Sequence, residues 1–314
     1  MLSRTAVNLY WMARYMERTE YVARLLDAAV RMTSLAGAGV ASGNEWESAL
    51  AAAGSAAAYR ARYDVVDSDG VIRFMALDAD NPTGIWRALE QARANARAER
   101  AALTMDAWAS INDTWLARGV LERARGGAED LGEIIDWVKS RSAAFRGAVH
   151  GTLLRNDAYQ FIRLGMAIER ADNTARLLDV KYHVLLPQHD AIGGGLDHFQ
   201  WDSILRAASA LRAYHHVFRD SVNPGKVVEL LALRPEMPRS IRASYDEITD
   251  ALSGLSAVYG GKTGDAQRLA GATHARLAFA TVEDVFREGL HEFLKTMIAS
   301  TAGVGAAIQN QYMA

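Results

Sequence analysis

Residues 13–27 read ARYMERTEYVARLLD, and residues 165–179 read GMAIERADNTARLLD. Aligned without a gap, Glu17 meets Glu169, Arg18 meets Arg170, Glu20 meets Asp172 and Arg24 meets Arg176, each 152 positions apart. Ala23, Leu25, Leu26 and Asp27 recur as Ala175, Leu177, Leu178 and Asp179. Farther along, Trp46 and Tyr59 meet Trp201 and Tyr214 at a spacing of 155, and Val71, Leu77, Pro82 and Ile85 meet Val227, Leu233, Pro238 and Ile241 at 156. Small loop insertions account for the drift. The period far exceeds the roughly 20–50 residues of a solenoid unit, so it predicts duplication of a whole helical bundle. The expected architecture is all-α, a tandem-duplicated helical bundle with pseudo-two-fold related halves at residues 1–150 and 151–314.

Around these anchors the pattern predicts long helices over about 3–33 and 156–185. Shorter pairs are expected at 45–63 and 199–219 and at 68–77 and 224–233, and longer helices at 83–118, 128–150, 238–258 and 265–300. Pro82 and Pro238 precede helices, where a missing N–H costs least. Loops are expected at 36–43, 126–130, 188–197 and 260–265. No segment alternates with a period of two and β-branched enrichment, so no strand is expected. The first helix carries apolar residues on more than one face: Leu9, Ala13, Met16, Ala23 and Leu26 on one, Trp11, Tyr15, Val22 and Leu25 on another. Such a helix is central to a fold. Its Arg14, Glu17, Arg18 and Arg24 must therefore be paired or face a cleft.

Composition agrees with helices: half of the 314 residues are apolar and only 5 are Pro. A net charge of −2 gives no support to a nucleic-acid or membrane-surface role. The absence of Cys excludes disulfides, thiolate metal sites and Cys nucleophiles. The N-terminal segment is broken by Arg4, Arg14, Glu17 and Arg18 and does not read as a secretory signal. No stretch of about 18 apolar residues suggests a membrane span, so a cytoplasmic location is expected.

Glu17-Arg18 and Glu169-Arg170 are the candidate functional motifs. Glu17 and Glu169 are the candidate catalytic carboxylates; Arg14, Arg18, Arg24, Arg170 and Arg176 are the candidate substrate-binding cations. A guanidinium holds a carboxylate or phosphate at two points. The bland alternative is an ion-pair network, Glu17 with Arg170 and Arg18 with Glu169, or each pair within its own copy. The two copies differ where Arg14 becomes Met166, Tyr10 becomes Ile162 and Tyr21 becomes Asn173, so a ligand site is expected to be asymmetric. Repeated Trp46/Trp201 and Tyr59/Tyr214 read as core.

Other motifs carry less. Glu288-x-x-His291 stands alone, whereas a di-iron bundle needs two such motifs and two more Glu. His215 and His216 are adjacent and diverge on a helix. His189-Asp190 reads as a solvated loop pair. Gly193-Gly194-Gly195 lacks the Lys-Ser/Thr and the preceding strand of a phosphate-binding loop. No metal and no cofactor is expected, and no motif defines a reaction.

The segments LSRTAVNLYWMARYMERTEYVARLLD (2–27), FIRLGMAIERADNTARLLD (161–179) and WDSILRAASALRAY (201–214) resemble the bacterial alpha-E family over nearly the whole chain. The family's Glu-Arg motif stands here as Glu17-Arg18 and Glu169-Arg170. The resemblance implies association with circularly permuted ATP-grasp ligases and a part in peptide synthesis or modification. It makes an ATP-grasp ligase the expected partner and an amino acid or peptide the expected ligand. Three functions stay open: an accessory component that docks the ligase or holds its carboxylate-bearing substrate, an enzyme acting on a peptide or amide, and a purely structural interaction protein.

Overall fold

Two long helices form the axis of the molecule: α1 (Ser3–Ala36) and, from the second half, a helix at Asp157–Val184. The computed structural model describes residues 1–36, 44–184 and 195–314, and these contain helices and turns with no strand. After α1 come α2 (Asn44–Ala52), α3 (Ala56–Arg60), α4 (Ser68–Ile72), α5 (Ile85–Ala98), α6 (Met105–Leu116), α7 (Gly119–Arg123) and α8 (Ala128–Thr152). The helix at Asp157–Val184 is α9, followed by α10 (Gly195–Ala207), α11 (Leu211–Phe218), α12 (Pro224–Val228), α13 (Ile241–Val258), α14 (Asp265–Phe279), α15 (Val282–Glu288) and α16 (Leu290–Tyr312).

Helix α1 packs on α9, α5 and α8; α9 packs in turn on α13 and α16. The apolar residues on several faces of α1 explain this position. Leu9, Ala13, Met16, Val22, Ala23, Leu25 and Leu26 are all buried, against different neighbours. Close approach of α1 and α9 needs Gly165, where a Cβ would stand 2.2 Å from the Tyr10 carbonyl oxygen. Trp46, Tyr59, Trp201 and Tyr214 are core residues. The two Tyr hydroxyls donate to turn carbonyls, Tyr59 to Val65 at 3.0 Å and Tyr214 to Ser221 at 2.8 Å.

Several matched positions of the sequence have matched backbone shapes. Both α4 and α12 run into a single wide π turn, at Arg73–Leu77 and at Glu229–Leu233. Gly54 and Ser209 both adopt left-handed backbone, at φ 67° and 55°. Ile85 and Ile241 both open long helices, capped by Gly84 and Ser240.

Helices are shorter than expected in several places. The segment 83–118 breaks at Glu99–Thr104, where a 3₁₀ turn intervenes and Thr104 caps α6 by accepting from the Ala107 N–H. The segment 265–300 breaks twice. Thr281 and Asp284 form a capping box that starts α15, and Gly289 at φ 96° ends it. The segments 45–63 and 199–219 each divide at the left-handed residue. Helix α8 begins at Ala128, inside the expected 126–130 loop, and α10 begins at Gly195, inside the expected 188–197 loop. His189-Asp190 and Gly193-Gly194 lie outside the described residues.

Candidate functional site

Glu17 and Glu169, on the two crossing central helices, are almost fully buried, so each carboxylate needs a cationic partner. The pairing is crosswise. Arg170 donates to both oxygens of Glu17, at 3.0 and 3.1 Å, and Arg18 donates to both oxygens of Glu169, at 2.6 and 3.1 Å. Each Glu-Arg motif thus neutralises the other, in the two-point geometry that suits guanidinium and carboxylate. Around each carboxylate a separate cluster has grown, and the two clusters differ.

The cluster at Glu17 is packed with cations. Glu20, one turn on, accepts from Arg24 at 2.6 and 3.0 Å and from Arg239 at 2.5 Å, and its other oxygen meets Arg146. Arg239 also reaches Glu17 at 3.3 Å, and Arg146 stands 3.6 Å from it. Arg24 turns its far end to the Ala207 carbonyl and the Ser209 hydroxyl. Four guanidinium groups therefore surround two carboxylates. Burial favours a neutral Glu17, but Arg170 and Arg239 outweigh it and hold the carboxyl far below its ordinary value. Burial, with repulsion from Arg24 and Arg170, brings Arg239 down to about 10 despite Glu17 and Glu20, which leaves it charged at neutral pH.

The cluster at Glu169 opens onto a cavity of about 410 Å³ between α1, α9, α16 and the turn after α2. Arg14 donates to Glu169 at 2.7 Å, and Arg176 donates to Asp172 at 2.7 Å. Arg14, Arg18, Glu169, Asp172, Asn173 and Arg176 all line the cavity; Tyr21, Thr83, Gly305 and Gln309 are among the other residues of its wall. Burial favours a neutral Glu169, yet Arg18 and Arg14 keep its carboxyl below the usual range. At Asp172 burial wins over Arg176, so its carboxyl is raised. The Asn173 Nδ2 is buried and has no hydrogen-bond partner. A buried donor without an acceptor costs roughly 1–3 kcal/mol.

Of the expected site residues, Arg14, Arg18, Arg176 and Glu169 line this cavity, and Glu17, Arg24 and Arg170 belong to the other cluster. The asymmetry expected from Arg14/Met166 and Tyr21/Asn173 falls on the cavity, where Arg14, Tyr21 and Asn173 stand together. Sequence reasoning did not single out Arg146, Arg239 or Asp172. Arg239 is detectable as the position after Pro238, matched to Thr83 after Pro82. Arg146 carries no signal in the chain.

A larger cavity of about 620 Å³ lies near Asp27, Arg31, Phe199, Asp202 and Arg206. Its charges are already paired, Arg31 with Asp27 at 2.7 Å and Arg206 with Asp202 at 2.5 Å, and it holds none of the Glu-Arg side chains. The side chains of Glu288 and His291 go to different partners, Arg276 and Asp179, at 2.5 and 2.7 Å. Among the described residues no group of three or more metal-ligating side chains occurs, and no helix is long and apolar enough to cross a membrane.

No curated protein and no solved structure matches the chain. A family model does: Alpha-E, described as a predicted alpha-helical domain with a conserved ER motif, matches residues 1–313. The Glu-Arg pairs that clasp α1 to α9 are ER dipeptides of that kind, and with the match spanning the chain, the protein belongs to the Alpha-E family.

Proposed function

We propose that this chain is a binding component that holds a carboxylate-bearing amino acid or peptide for an ATP-grasp ligase that it docks. The observation that carries the binding half is the cavity at Glu169. Three guanidinium groups, of Arg14, Arg18 and Arg176, line one pocket whose volume suits a small ligand. Arg14 and Arg18 use some of their donors on Glu169, which orients them, and their remaining N–H groups are available to an anion. The ligase half rests on the family resemblance alone. The tandem reading, with copies at 1–150 and 151–314, belongs to the same proposal. It is supported by the paired π turns and the paired left-handed residues.

Binding is favoured over catalysis by a specific observation. Glu169, the candidate carboxylate on the cavity wall, is engaged on both oxygens by Arg14 and Arg18 and is held ionised. An ionised, fully engaged carboxylate is a poor proton donor near neutral pH.

Calorimetric titration of the purified protein with a panel of L-amino acids and dipeptides tests the reading. Arg14→Met installs the residue found at the matched position, Met166, and leaves Arg18 on Glu169. It is expected to weaken a carboxylate ligand at least tenfold, about 1.4 kcal/mol. No binding anywhere in the panel, or equal binding by the variant, overturns the reading. Affinity capture from the native host, with the folded double variant Glu17→Gln/Glu169→Gln as control, tests the ligase half, and recovery of no ATP-grasp ligase sinks it.

A further inference from the structure

The two clusters occupy matched positions, so the filled one shows what the open one lacks. The turn after α2, Ala52-Ala53-Gly54, matches Ala207-Ala208-Ser209 after α10 at a spacing of 155. Arg176 points at the Ala52 carbonyl just as Arg24 points at that of Ala207. Thr83 matches Arg239 at 156. In α8 and α16 the buried residues Ser142, Phe145 and Val149 match Thr301, Val304 and Ile308, which sets Arg146 opposite Gly305. Two guanidinium groups therefore fill the Glu17 cluster where the Glu169 cluster has Thr83 and Gly305, and both of those residues line the cavity.

Arg14, one turn before Arg18, restores a second cation to Glu169. No second guanidinium comes within hydrogen-bond distance of Asp172 among the described residues. Both oxygens of its counterpart Glu20 are paired, one with Arg24 and Arg239 and the other with Arg146. Asp172 has Arg176 on Oδ2, while its Oδ1 has no hydrogen-bond partner among the described residues. A carboxylate oxygen at a partly buried wall, next to space that its counterpart fills with guanidinium, is a cation receptor.

Building on the carboxylate-binding reading above, we propose that the ligand also carries a positively charged nitrogen group, guanidinium or primary ammonium. Asp172 receives that group in the space where Arg146 and Arg239 stand against Glu20. The carboxylate end then lies toward Arg14 and Arg18, which line the same cavity. The substrate class is a basic amino acid, or an amino acid or peptide bound through its free amine.

Four probes and two variants test this by calorimetry. L-arginine and L-citrulline differ by the guanidinium charge; L-glutamate and glutarate differ by the α-ammonium. Removing the charge in at least one pair is expected to weaken binding tenfold or more, and the pair that responds identifies the group. Asp172→Asn, which keeps an acceptor for Arg176, is expected to erase that difference. Thr83→Arg, which imports the counterpart's guanidinium, is expected to close the cavity to all four probes. Equal affinity within both pairs overturns the cation proposal and leaves the carboxylate reading standing. Binding of none of the four overturns both. Binding unchanged in Thr83→Arg places the site elsewhere and overturns the proposal.

Discussion

At the scale of the residue, Glu17 and Glu169 occupy matched positions and have unequal surroundings. Glu17→Gln removes a carboxylate on which Arg170 and Arg239 converge away from the cavity, with Arg146 close by. Breaking a buried pair from one side costs about 3–5 kcal/mol. Glu169→Gln leaves Arg14 and Arg18 beside a cavity that admits water, so its cost is expected to be the smaller. Urea midpoints of the two variants check the order, and equal losses would show that the cavity gives the arginines no relief. The sequence marks these four residues as pairs but leaves the partners open. An Arg one residue after a Glu on a helix points away from it, so only the crossing angle of α1 and α9 decides who meets whom. Arg146 comes from a helix with no matching signal, and no local pattern announces it.

Elements are set by caps and close approaches. Gly165→Ala forces a Cβ to within 2.2 Å of the Tyr10 carbonyl oxygen, and the helices must part. A loss of about 1–3 kcal/mol is expected, as for other overpacked cores. Gly147→Ala, an exposed helical position with open space around the new methyl group, is expected to gain about 0.5–1 kcal/mol. Thermal melts of the pair separate crowding from helix propensity. Arg219 ends α11 in left-handed backbone at φ 52°, so Arg219→Gly is expected to stabilise by about 1 kcal/mol, read in the same melts. The long axial helices were legible because their apolar residues leave no wholly polar face. The breaks at Glu99–Thr104 and Thr281 were legible only in part. Thr281-x-x-Asp284 is a capping signal, but helix-favouring residues on both sides hide it. The π turns carried no signal, since Arg73–Leu77 and Glu229–Leu233 read as ordinary helix.

For the whole molecule, acid is the informative stress. Glu17, Glu20 and Glu169 have carboxyls held below the ordinary 4.5 by their guanidinium partners. Their stabilisation is therefore complete above pH 4.5 and is lost as the pH falls through the depressed values. Asp172 acts in the opposite sense: its raised carboxyl disfavours folding as it ionises, and protonation relieves that. Three groups outweigh one, so the urea midpoint is expected to fall steeply below about pH 4. A midpoint that holds steady to pH 3 would mean that the clusters contribute nothing net. The all-helical class was readable from composition and period. The cavity was not, because the small residues Thr83 and Gly305 in its wall are silent in a single chain.

The crosswise clasp also sets an order of events in synthesis. Arg14 and Arg18 find Glu169, and Glu17 finds Arg170, across separations of 151 to 155 residues. While the first half of the chain leaves the ribosome, its central helix has met neither of those partners. Contacts of such long range form late and slow the search for the native state. The pocket at Glu169 is complete only at the last step, when α16, which supplies part of its wall, has been made.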